Sequence, residues 1–466
     1  MHVSIFLKLY RNPLLFAAFC SILYWSFGFD LIRSDFVKLI SLSGALFALT
    51  YWLIKSYGWN FWLLAGMGVI FRLILFPAVP SLSQDFYRFL WDGRLLVQGI
   101  NPYLITPEAY ISAGNQVVPQ AQELYDGMGA LNGSHYSNYP PINQLIFAIA
   151  SVFTQHSIVG SVIVFKIIML LADLGILYFG RKLLLKLKLP PSRIFWYFLN
   201  PFIIIEMTGN LHCEGIMLLF LVWAIYLLFK KKWVWAAVIF GLSISVKLLP
   251  LLLLPLLYKW FFKKEVSTAL NLTSAIKFYA VVAGTVALTF APFLSSEFIL
   301  NFSATIKLWF QTFEFNASVY YIIRWIGFQI VGWNVIETVG KVLPIVVILS
   351  ILCLALFRRS KTDNDISEMK HLITSMLFAV AIYFLLSTTV HPWYIATPLL
   401  LSIFTKYKFP IIWSLVVFLS YSAYGINGFY ENLWLVALEY AAVVGFFLWE
   451  LNGSSKSRKE KVLDTI

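Results

Sequence analysis

Asp85, Arg88 and Asp92 are spaced so that a helix beginning at Asp85 carries all three on one face. A carboxylate at such a helix start, close to a bilayer surface, is partly desolvated. That raises its pKa and suits it to act as a general base. The competing reading pairs Asp85 with Arg88 as an anchor for the helix end. Asp92 and Arg94 could tie the loop together as an ion pair. Trp91 either packs its loop or stacks on a sugar ring. Further along, His212 and Glu214 stand two apart near a helix start, where they could hold a phosphate or an acceptor hydroxyl, or simply cap the helix. Lys247 sits within an apolar hairpin, a costly place for a cation without a partner. It needs an anion brought by a ligand, or it snorkels to the surface. His391, followed by Pro392, Trp393 and Tyr394, is a further candidate donor to a phosphate oxygen.

The elements that must position these groups are membrane helices. Of the 466 residues 60% are hydrophobic and only 12% charged. A soluble chain of this length has too little interior to hide that much apolar surface. The composition therefore excludes a cytosolic enzyme, a disordered chain and a disulfide scaffold, and leaves an all-α polytopic membrane bundle. The net charge of +13 reads as basic loops on the inner side of a membrane rather than as a nucleic-acid surface. Cys20, Cys213 and Cys353 form neither a disulfide framework nor zinc-ligand spacing. Lys8 and Arg11 precede an apolar stretch without a convincing cleavage site, so the start reads as a signal anchor.

Apolar runs predict helices over 13–29, 36–54, 59–80, 158–180, 194–209, 215–229, 276–294, 338–357, 372–389, 393–405, 409–424 and 434–450. A short hairpin, 233–247 and 249–262, meets at Lys247 and Pro250, and 139–154 and 317–331 are also apolar. About 12–14 crossings result, with re-entrant or interfacial helices among them, in one domain over 1–466. Basic clusters at Arg181–Arg193, Lys230–Lys232, Lys263 and Lys264, Arg358 and Arg359, and in the 456–466 tail are all expected on the cytoplasmic side. The first large outer loop, 81–138, sets two arginines against five carboxylates and is expected outside. Threaded this way, both termini are cytoplasmic and the unusual polar residues collect on the outer face. Lys166 with Asp173, Glu337 with Lys341, Arg72, Glu206 and Glu439 read as structural. Asp363-Asn364-Asp365 reads as a solvated loop, since no βαβ pattern surrounds it.

The string from Asp85 to Arg94, Gly99-Ile-Asn101-Pro-Tyr103, Tyr139-Pro-Pro141, Asn210-Leu-His212, Lys247-Leu-Leu-Pro250 and His391-Pro-Trp393-Tyr394 resembles C-type (GT-C) membrane glycosyltransferases. The likeness is greatest to bacterial polyprenyl-phosphate-mannose-dependent mannosyltransferases, including glycosyltransferase family 87. The resemblance implies inverting transfer of a hexose, mannose above all, without metal or other cofactor. The donor is a polyprenyl-phosphate sugar and the acceptor a lipid or glycan hydroxyl. Asp85 is then the base with Asp92 in reserve, and Lys247, His391, His212 and Arg94 meet the donor phosphate. Arg88, Trp91, Asn101, Tyr103, Tyr139, Glu214, Asn316, Trp393 and Tyr394 contact sugar or acceptor. The implied setting is a bacterial inner membrane with the site facing the periplasm. The rival readings are a transporter or flippase for lipid-linked sugars, which predicts internal repeats and polar residues throughout the bundle, and another outer-face glycan polymerase or ligase.

Overall fold

Helix starts in this chain are marked by short polar side chains that satisfy otherwise unpaired backbone N–H groups. Asp35 accepts from the Lys38 N–H, Asn60 from Leu63 and Ser157 from Gly160, at 3.0–3.2 Å. The computed structural model describes residues 3–115, 117–154, 156–262, 267–357, 364–426 and 428–463. Lys263, Lys264, Arg358, Arg359 and Asp363 lie outside the described residues, as do the side chains of the 456–466 tail.

The described chain is almost wholly helical. It opens with α1 (Val3–Phe29), α2 (Phe36–Tyr57), α3 (Phe61–Ile74) and α4 (Asp85–Val97). Next come α5 (Pro107–Ser112), α6 (Ala121–Ser134), α7 (Pro141–Val152) and α8 (Ile158–Lys186). After an irregular stretch follow α9 (Glu214–Phe229), α10 (Trp233–Val246), α11 (Thr268–Phe290), α12 (Ser296–Gln311), α13 (Val319–Val331), α14 (Ile336–Phe357) and α15 (Asp365–Leu386). The last long elements are α16 (Phe409–Val416) and α17 (Leu433–Leu463). A two-residue hairpin pairs Tyr424–Gly425 with Gly428–Phe429.

Among the described residues seven helices are long and apolar enough to cross a membrane, or eight when the bent pair Pro201–Gly209 and Glu214–Phe229 counts as one span. The chain is an integral membrane protein. Only 11% of the most apolar window of the Thr268–Phe293 span is buried inside the protein, which leaves that helix facing lipid. Most other apolar runs of the sequence become helices of 10–17 residues, short of a straight crossing, and the run 393–405 becomes a 3₁₀ turn and a seven-residue helix. The run 59–80 keeps only 14 helical residues, because Pro77 and Pro80 follow and turn the chain towards Asp85. The run 194–209 is likewise broken into 3₁₀, α and π pieces.

A buried ion pair joins α3 to α8 within the bundle. Arg72 on α3 donates through Nε to Asp173 on α8 at 2.7 Å, with both side chains fully buried. Lys166, one face-repeat away, does not share that pair. Its Nζ caps the Leu75 and Ala78 carbonyls at the frayed end of α3. Helices α4 and α7 meet at Gly93, where an added Cβ would stand 2.2 Å from the Phe147 carbonyl oxygen. Gly93→Ala is therefore expected to overpack this contact and cost about 1–3 kcal/mol. Gly44→Ala in α2, where a Cβ meets nothing within 4 Å, should leave stability unchanged or raised. Thermal unfolding of the two purified variants in detergent compares them.

Candidate active site

The site forms where two helical stretches break opposite each other. Between the π-helical turn Ile204–Gly209 and α9 the chain bends by 114°. Leu211 sits at the bend with φ of +64°, a strained conformation for a bulky residue that costs of order 1–3 kcal/mol. The second break follows α10, where Lys247 is extended, with φ of −146°. The two breaks face each other through an ion pair from Lys247 Nζ to Glu214 Oε1, the first residue of α9. The Lys247 ammonium also lies 5.2 Å from the centre of the Tyr394 ring.

Asp85 is brought to the same place from the other half of the chain. The Asn210 amide oxygen accepts from the Leu82 N–H at 3.1 Å, which ties the loop before α4 to the bend. Ser83 Oγ accepts from the Asp85 N–H, and Asn132 donates to Asp85 Oδ1 at 3.2 Å. The Asp85 carboxyl is half-buried, and desolvation raises its pKa above the ordinary value. The Asn132 hydrogen bond and the charges of Lys247 and Arg33 pull it back down.

A stack of rings closes the site. Trp393 lies against His212 at a centroid distance of 3.7 Å and against His391 at 4.5 Å, nearly parallel to both. The loop that carries His391 is pinned by main-chain bonds to a second loop: Phe315 N–H to Thr388 O, and Val390 N–H to Phe315 O. Burial, then the charges of Lys247 and Arg33, lower the His391 pKa to about 3. The imidazole is therefore neutral at pH 7 and offers one N–H and one lone pair. Its Nδ1 is buried without a hydrogen-bond partner. Because the unfolded histidine titrates near 6.5, the unfolded state takes up the proton first as pH falls, and this group then opposes folding.

Residues 34–263 match the family model described as alpha-(1→6)-mannopyranosyltransferase, N-terminal domain. The chain is also 24% identical over 346 residues to alpha-(1→6)-mannopyranosyltransferase A of Mycobacterium tuberculosis, covering 71% of this chain and 63% of the relative. It is 22% identical over 379 residues to alpha-(1→6)-mannopyranosyltransferase A of Corynebacterium glutamicum, covering 74% and 72%. The B enzyme of the same organism is 28% identical over 143 residues, covering 30% of this chain and 23% of that protein. The chain thus spans less than two thirds of two of these three relatives. Asp85, His212, Glu214 and Lys247 fall inside the family match, whereas His391, Trp393 and Tyr394 lie beyond it.

Ring contacts, an ion pair and electrostatic couplings bring Asp85, Tyr139, His212, Glu214, Lys247, His391, Trp393 and Tyr394 together. Tyr139 and Tyr394 both act electrostatically with Asp85 there. The other sequence candidates are engaged elsewhere. Arg88 pairs with Asp92 at 2.9 Å rather than with Asp85, and donates to the Asn132 and His135 carbonyls. Asp92 also accepts from Ser137 and Gln144 and is fully buried. Arg94 does not pair with Asp92: it binds the Pro119 carbonyl and Gln120. Trp91 is fully buried, edge-on to Tyr110. Tyr103 donates to the Tyr139 carbonyl, and Asn101 caps the Tyr103 N–H. Asn316, at φ of +47°, donates to Glu439 and takes Glu431 at its N–H. Lys247, left without a protein partner by the sequence, has one in Glu214. Sequence reasoning missed Asn132 and Arg33, since nothing in the spacing of either points to Asp85.

The Arg88–Asp92 pair holds the 132–137 loop under α4. Arg88→Met would leave Asp92 charged, buried and short of its cation, with an expected loss of about 3–5 kcal/mol. Asp92→Asn keeps the Ser137 and Gln144 contacts and should cost less. Unfolding temperatures of the two variants, each with Asp85 intact, distinguish this scaffold role from a part in chemistry.

Proposed function

We propose that this chain is an integral-membrane mannosyltransferase that moves a mannosyl residue from a polyprenyl-phosphate donor to a hydroxyl of a lipid or glycan acceptor. The observation that carries the reading is Asp85: a half-open carboxylate with a raised pKa, set beside a lysine and a histidine–tryptophan stack, in a chain whose residues 34–263 match a mannosyltransferase family. The relatives' printed activity supports an alpha-(1→6) linkage in the product.

Asp85 takes the proton of the acceptor hydroxyl. The freed oxygen attacks the anomeric carbon as the bond from that carbon to the phosphate oxygen breaks, and the electron pair leaves with polyprenyl phosphate. Attack from the face opposite the leaving group inverts the anomeric centre. Lys247 and the neutral His391 meet the phosphate in a poorly solvated setting, where a fixed charge or N–H dipole is worth more than in water. The Trp393 and Tyr394 rings supply an apolar wall suited to a sugar face. Glu214 holds the lysine in place. In this reading the site faces the periplasm of a bacterial inner membrane, the termini are cytoplasmic, and no cofactor takes part.

Purified protein in liposomes with radiolabelled polyprenyl-phosphate mannose and candidate acceptors should form labelled product. Label that crosses the bilayer without covalent transfer would instead support a flippase. Asp85→Asn is expected to lower kcat by about 10²–10⁴-fold, the usual share of a general base, while unfolding stays as in the parent. The base must be ionised, so kcat falls as pH drops through the Asp85 pKa. Asn132→Ala removes a hydrogen bond to the ionised form, and the acid limb of the pH–rate profile should move to higher pH.

A further inference from the structure

Arg33 lies in the short connection between α1 and α2, immediately before the stretch that matches the family. Its sequence neighbours Asp30 and Asp35 look like its partners, yet neither is. Asp35 caps the Lys38 N–H, and among the described residues no ion pair joins Arg33 to either carboxylate. The guanidinium carbon instead lies 3.2 Å from the centre of the Tyr424 ring. Its Nε is buried without a hydrogen bond. The Tyr424 ring is 6.0 Å from Phe315, which is 5.3 Å from His391, so aromatic contacts lead directly from Arg33 to the site. The charge of Arg33 acts on Asp85, His212 and His391, and the charge of Lys247 acts on all three as well.

We propose that Arg33 is the second cation of a two-sided clamp for the donor's phosphate, opposite Lys247. The assignment rests on the lipid-phosphate reading of the Asp85 site. Its chemical logic is a change of charge. The donor is a phosphodiester with one negative charge. When the sugar–oxygen bond breaks, its electron pair stays on the phosphate, and the product monoester carries about −1.5 to −2 near neutral pH. Lys247 is already balanced by Glu214. The charge that appears during transfer therefore needs another cation, and Arg33 has a planar fork with an unused donor. Stacking on Tyr424 holds that fork while its Nε stays free of a hydrogen bond.

The test is binding of polyprenyl monophosphate, and of uncharged polyprenol of the same chain length, to the full chain in detergent. Arg33→Gln is expected to weaken monophosphate binding at least ten-fold and to leave polyprenol binding unchanged, with Arg33→Lys recovering part of the loss. Unchanged monophosphate affinity in Arg33→Gln would overturn the assignment while leaving the proposed transfer intact. Equal loss of both ligands would overturn it in favour of a packing role. If the unaltered chain bound no polyprenyl monophosphate, the donor reading would fall with it.

Discussion

The Glu214–Lys247 ion pair is the contact on which the site depends, because it bridges two places where helices stop short. A lysine and a glutamate facing each other at broken helix ends are each costly alone in apolar surroundings. Together they let the chain leave helical geometry twice at neighbouring points. Irregular backbone at membrane depth survives only where protein or a polar cavity satisfies it. Here Asn210 reaches the Leu82 N–H, Tyr421 donates to Glu206 at 2.7 Å, and the His212 N–H returns to the Glu206 carbonyl at 3.3 Å. Strain at Leu211 is held by this network, and the bend presents His212 and Glu214 towards Asp85.

Charges within the bundle divide by place, some joining helices of the scaffold and others meeting at the candidate site. Arg72 with Asp173, Lys166 with two carbonyls, and Arg88 with Asp92 join α3 to α8 and α4 to its own loop. Asp85, Lys247, Arg33 and the two histidines instead act on one another electrostatically at the candidate site. A polar group in an apolar bundle costs several kcal/mol unless paired. The His212–Trp393–His391 stack belongs to this second class. Packing holds its rings, while the His391 Nδ1 lacks a partner.

Much of this arrangement was legible in the residues. The apolar excess specified an all-α membrane bundle, and the Asp85–Asp92 string fell on a helix that starts at Asp85. Lys247, Glu214 and His391 stood out because ionisable residues are rare among apolar neighbours. Their division into roles was not legible. Asp92 and Arg94 resemble Asp85 and Lys247 in sequence, but the loop between α4 and α7 folds back and consumes them. Apolar runs such as 59–80 and 194–209 promised whole spans, yet proline and buried polar contacts cut them short.

By itself the sequence determined the solvent of the fold and the inventory of reactive groups, because hydropathy and residue type are local properties. Only the tertiary structure decided which charge neutralises which. Arg88 chose Asp92 four residues on, whereas Lys247 reached back 33 residues to Glu214 and Arg33 turned from two adjacent aspartates to Tyr424. Ion pairing in an apolar medium depends on distance in space and on the desolvation each partner has already suffered. Neither quantity is written in the spacing along the chain, and both are set once helices end and pack.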